Sequence, residues 1–93
     1  MVDYKIKCEV AKIRGDKDCC PGSAQMKLGE VFILGVRTPE PNGICARAYA
    51  SIYPTSVALR FSDEIPWEKG RGYFDISCPD GLVTYRLSRV KDQ

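Results

Sequence analysis

The sequence contains no histidine. Every mechanism that uses an imidazole as general base, nucleophile activator or metal ligand is thereby excluded within this chain. Also missing is any apolar run near the ~20 residues that a membrane-spanning helix needs, since the uncharged stretches are short and broken by Gly, Pro or Arg. Residues 1–10 alternate charged and apolar side chains where a signal peptide would carry its apolar stretch, so no export and a cytoplasmic location are expected. Neither sign of charge dominates: 14 Lys and Arg against 12 Asp and Glu leave +2 at pH 7. The basic residues are scattered among acids, which argues against a nucleic acid or an anionic membrane as partner and leaves a protein partner open. Gly15, Gly22 and Gly29 fit neither the dinucleotide-binding nor the Walker spacing of phosphate-binding loops.

What is present is a chain of 93 residues, 44% hydrophobic and 28% charged. That composition is ordinary for a folded globular protein and far from a disordered one. The length suits one modest core, so residues 1–93 are read as a single domain that folds without a partner. Five cysteines is a high count for this length. The number is odd and Cys19 and Cys20 are adjacent, which suits reduced thiols or metal thiolates better than a paired disulfide framework.

Residues 4–13 alternate, with Tyr4, Ile6, Cys8 and Val10 on one side and Lys5, Lys7 and Glu9 on the other, the period-two pattern of a half-buried strand with Cys8 inward. Residues 14–27 lose periodicity and gather Gly, Asp, Cys, Pro and Ser, which predicts a loop carrying Cys19-Cys20-Pro21-Gly22. Residues 28–36 are rich in β-branched and aromatic side chains, predicting a second strand buried on both faces around Phe32 to Leu34. Pro39, Pro41 and Gly43 then force a turn. A helix is predicted over about 43–53, with Asn42 as N-cap and Ile44, Ala48 and Ile52 on one face. Pro54 is expected to break it or to start a second short helix over 55–61. Residues 63–72, with Pro66-Trp67, read as a surface connection. Phe74, Ile76 and Cys78 alternate against Tyr73, Asp75 and Ser77, Pro79-Asp80-Gly81 signals a turn, and residues 82–90 alternate again, which predicts a C-terminal hairpin. The fold class that follows is α+β: a mainly antiparallel sheet of about four strands in ββαββ order, with one helix or a broken helix pair packed on it.

Seven pieces in register, Cys20-Pro21, residues 27–32, Gly43-Ile44-Cys45-Ala46, Ile52-Tyr53-Pro54, Ala58-Leu59-Arg60, Ile65-Pro66-Trp67 and Cys78-Pro79-Asp80-Gly81, resemble TIGR04076, a family of small prokaryotic proteins of about this size. The similarity spans nearly the whole chain. It implies no particular activity, but it places cysteines at the positions of Cys20, Cys45 and Cys78. The family often has a Gly-His-Lys segment after its Cys-Pro where this chain has Gln25-Met26-Lys27, so a histidine-dependent role of that loop does not carry over.

Cys20, Cys45 and Cys78 are the candidate metal ligands, coming from a loop, a helix start and a strand end. With Cys8 or Cys19 they could supply four thiolates, a donor set suited to zinc or an iron–sulfur cluster. The chain has no Cys-x-x-Cys knuckle to hold two ligands on one turn, and free cysteine is also a good small buried hydrophobe, a role open to Cys8, Cys45 and Cys78. The leading expectation is a non-catalytic binding or accessory module with structural or metal-ligating cysteines. The alternative is a small thiol-dependent redox protein or enzyme using Cys20 in its loop or Cys45 near a helix N-terminus. No catalytic residue is assigned. Asp63, Glu64 and Glu68 read as a solvated loop, Trp67 as a structural anchor, and Arg86 and Arg89 fall on opposite faces of their strand and form no phosphate-binding stripe.

Overall fold

A computed structural model describes residues 4–22, 25–35, 43–62 and 72–90. The elements run β1 (Lys5–Ile13), β2 (Val31–Leu34), α1 (Ala46–Arg60), β3 (Tyr73–Ser77) and β4 (Val83–Val90). The strands form one antiparallel sheet in the order β2-β1-β4-β3, and α1 packs against it. This is the α+β architecture expected from the sequence. The predicted turn over 37–43 up to residue 42, Asn42 itself, and Asp63 to Glu68 with Trp67 lie outside the described residues.

The pairing register stacks inward side chains into rows. Leu34, Ile6 and Arg89 form one row, Phe32, Cys8, Leu87 and Phe74 the next, then Val10, Tyr85 and Ile76, and finally Ile13 and Val83. Ile6, Cys8, Leu34, Tyr85 and Leu87 are wholly buried, together with Ala48, Ile52 and Leu59 from the helix. Full burial of an Ile or Leu contributes about 1.5–3 kcal/mol of transfer free energy, so Ile52 and Leu59 hold the helix to the sheet.

β1 departs from clean alternation. Between Val10 and Lys12 its register against β4 shifts, with Val10 opposite Tyr85 and Lys12 opposite Thr84, which leaves Ala11 as the extra residue of a bulge. The extra residue is what turns Ile13 inward beside Val83. β2 is buried on one face only: Phe32 and Leu34 point inward while Val31 and Ile33 are 47% and 49% exposed. The expected two-sided burial fails because β2 is an edge strand and the helix covers one face of the sheet.

The helix also differs from its expectation. It begins later, with Cys45 as the N-cap residue, and runs unbroken through Pro54 for 15 residues. Ala48, Ile52, Ser56, Leu59 and Arg60 are its buried positions, one stripe at helical spacing. Pro54 removes one N–H and crowds the carbonyl of Ala50, but both residues lie on the exposed side, where water can take the freed carbonyl and the buried stripe is not interrupted. Beyond the last turn, the Arg89 Nε donates to the Leu59 and Ser62 carbonyl oxygens at 3.0 and 2.6 Å, so a buried cation closes the carbonyl end of the helix. On the opposite sheet face Arg86 pairs with Asp75, its cross-strand neighbour, through two hydrogen bonds of 2.9 and 3.1 Å and lies over the Tyr73 ring. The two arginines do occupy opposite faces of β4.

Candidate functional site

The carboxyl end of β1, the start of β4, the carboxyl end of β3 and the N-terminus of α1 meet at one end of the sheet. Each brings a chemically distinct residue there for a local reason. Cys78 directly follows β3, where Pro79-Asp80-Gly81 turns the chain: the Gly81 N–H donates to the Cys78 carbonyl and the Cys78 N–H to the Val83 carbonyl, both at 2.9 Å. Gly81 sits at φ +72°, a conformation that glycine adopts without cost. Cys45 stands at the N-cap of α1 with no capping hydrogen bond from its side chain. Cys20 belongs to the loop after β1, where its N–H donates to the Met26 carbonyl at 2.8 Å and Cys19 bridges Lys27. That small ladder sets Met26 beside Cys20.

Cys20, Cys45 and Cys78 line a single cavity of about 90 Å3, together with Gly22, Met26, Arg47, Asp80, Leu82 and Val83. Its size is enough for a metal ion or a few water molecules. The Arg47 Nη2 donates to Asp80 Oδ1 at 2.7 Å across the rim, and the Ser51 hydroxyl donates to the Ser77 carbonyl at 3.2 Å. Helix and hairpin are therefore tied together on either side of Cys78, while the Arg14 N–H, bonded to the Leu82 carbonyl at 2.7 Å, ties in the end of β1. All five cysteines are free thiols. Among the described residues no three Cys, Asp or Glu side chains are grouped tightly enough to share one metal ion as they stand. The three sulfurs thus share a cavity without sharing a centre.

The thiols differ in electrostatic setting. Burial raises the Cys78 thiol, but the backbone N–H groups of Val83, Leu82, Asp80 and Gly81 outweigh it and leave Cys78 below the ordinary thiol value. The N–H dipoles of successive residues in this turn act together on the thiol as a nest does. At Cys20 the Gly22 N–H donates to Sγ at 3.3 Å, within the range for an N–H to sulfur contact. Burial pushes Cys8 up to about 12, which keeps it a neutral core thiol. The Tyr85 phenol is raised by burial and further by the thiols of Cys45, Cys8, Cys78 and Cys20. Cys19 lies outside the cavity, and its Sγ donates to the Cys20 carbonyl at 3.5 Å.

Sequence reasoning named the three cysteines and missed Met26, Arg47, Asp80 and Tyr85. Asp80 was legible as part of the turn that follows Cys78, and Arg47 as the second residue beyond Cys45. Met26 had one signal, its place where the resemblance would put a histidine, and that was read only as the loss of a histidine-dependent role; its place at the cavity depends on how the 14–27 loop folds back. No family model, curated protein or solved structure matches the chain. No helix among the described residues is long and apolar enough to cross a membrane.

Proposed function

We propose that this chain is a small binding module whose Cys20, Cys45 and Cys78 thiols capture a thiophilic metal ion. The observation that carries the reading is the shared cavity, in which three cysteines from three separate elements form the walls. Metal–sulfur bonds of ~2.3 Å would require the thiols to turn inward about their Cα–Cβ bonds, between staggered positions. Each thiol gives its proton to solvent as the metal binds. The backbone N–H groups of the hairpin turn favour the anionic sulfur of Cys78 that such a bond needs. Acid–base catalysis has less support: histidine is absent, and Asp80, the one carboxylate among the described residues of the cavity wall, is held by Arg47. Membership of TIGR04076 is part of the same proposal and rests on the seven sequence pieces alone.

The test is an anaerobic titration of the reduced protein with Cd(II), read by the thiolate-to-metal charge-transfer band. One equivalent is expected to saturate the band, Cys19→Ser to keep it, and the Cys20→Ser/Cys45→Ser/Cys78→Ser variant to lose it. No band, or a band that survives in the triple variant, would overturn the reading. A second reading, a thiol-dependent redox protein, is favoured by the N–H donors gathered around Cys78. It would show as a protein that takes up no metal but whose Cys78 forms a disulfide with Cys20 or Cys45 under mild oxidation.

A further inference from the structure

We propose that Met26 supplies a fourth sulfur to this pocket and thereby directs it to a monovalent, soft ion of the Cu(I) class in preference to Zn(II). The inference rests on the reading of the cavity as a metal site and adds the identity of the ion. Met26 lines the same cavity as the three cysteines. Its side chain is buried, at 5% exposure, and its position is set by the hydrogen bond from the Cys20 N–H to its carbonyl. A thioether is a neutral, polarisable donor that suits Cu(I). Zinc sites draw instead on thiolate, imidazole and carboxylate. The chain has no imidazole to offer, and the cavity's carboxylate, Asp80, is engaged by Arg47 at 2.7 Å. Cys8 does not fill the gap, because it is wholly buried in the core and does not line the cavity. Among the described residues the remaining donors in the cavity wall are therefore three thiols and one thioether, around apolar Leu82 and Val83. Cu(I) enters as the preformed monovalent ion, so no electron is transferred; the thiols that bind it release their protons to solvent.

The experiment compares Cu(I), buffered anaerobically by a chromophoric chelator, with Cd(II), in the wild-type protein and in Met26→Leu, a substitution that nearly conserves volume. Loss of a ligand is expected to weaken Cu(I) binding by about tenfold or more, the scale seen when even supporting groups of metal sites are removed. Cd(II) affinity should change by less than about threefold on the same argument. In the unaltered protein the ε-methyl carbon resonance of Met26 is expected to shift on Cu(I) loading and to stay in place on Cd(II) loading, which tests the idea without a variant. An unmoved methyl resonance on Cu(I) loading, or equal weakening of both metals in Met26→Leu, would overturn the assignment of Met26 and leave the three-cysteine site standing. Failure of both metals to bind the wild-type protein would remove the site itself.

Discussion

Cys8 gives the sharpest quantitative test, because it decides whether the buried thiol can act as a fourth thiolate. Its folded value of about 12 lies above the ordinary 9.0, and the cause is burial. In the unfolded chain the thiol ionises through pH 9, while in the folded protein it stays protonated, so above pH 9 the unfolded state gains a stabilisation the folded state lacks. Stability from this group is complete below pH 9 and is lost as the pH rises towards 12. Between pH 8 and pH 10 the loss amounts to about 1.4 kcal/mol, one tenfold change in the ionisation ratio. With a urea slope of about 1–1.5 kcal/mol per molar for a chain of this size, that is a fall of roughly 1 M in the unfolding midpoint. The assay is urea unfolding under reductant at pH 8, 9 and 10 for the wild type and for Cys8→Val, whose packing cost does not depend on pH. The wild-type midpoint should fall relative to that of the variant by the stated amount. The ionisation of Tyr85 is opposed chiefly by burial, which both proteins share, and only secondarily by Cys8 among other thiols. A gap between the two that stays constant from pH 8 to pH 10 would refute the argument and make Cys8 available as a ligand.

The N–H nest at the C-terminal hairpin leads to the opposite behaviour for Cys78. Its alkylation by iodoacetamide, followed by peptide mass spectrometry, should reach half its maximal rate below pH 9.0; stability contributed by this thiolate is present above the unfolded value and is lost as the pH falls through the folded one. A midpoint at or above 9.0 would dismiss the nest. For the helix, Pro54→Ala should stabilise the protein by about 1–3 kcal/mol, since it restores one intrahelical hydrogen bond on an exposed face. A lower melting temperature in that variant would mean that Pro54 makes contacts the solvent-facing assignment denies.

The sheet was legible because its strands alternate. Ile6, Cys8 and Val10, and Val83, Tyr85 and Leu87, each read as one face before any pairing was known, and they line the core. The Pro79-Asp80-Gly81 turn was equally plain, since Gly81 takes the left-handed conformation that such a turn requires. Pro54 misled because local propensity registers the lost hydrogen bond. The buried stripe from Ala48 to Leu59 outweighs that loss, and it exists only once the sheet is beneath it. The one-sided burial of β2 was hidden for a related reason: Val31-Phe32-Ile33-Leu34 is apolar on both faces, and only the sheet order makes it an edge.

The candidate site divides in the same way. By itself the sequence determined which atoms were available, sulfur in quantity and no imidazole, and that two of the cysteines precede a proline in a loop or turn. Those follow from residue identity and from dihedral preferences that act within a few residues. Only the tertiary structure decided that Cys20, Cys45 and Cys78 face one cavity and that Met26 joins them, whereas the inward face of Cys8 was already written in the alternation of β1. The separations between Cys20, Cys45 and Cys78 along the chain carry no information about proximity. Proximity arises from the antiparallel order β2-β1-β4-β3, which brings the end of β3 and the start of α1 to the same edge as the loop after β1.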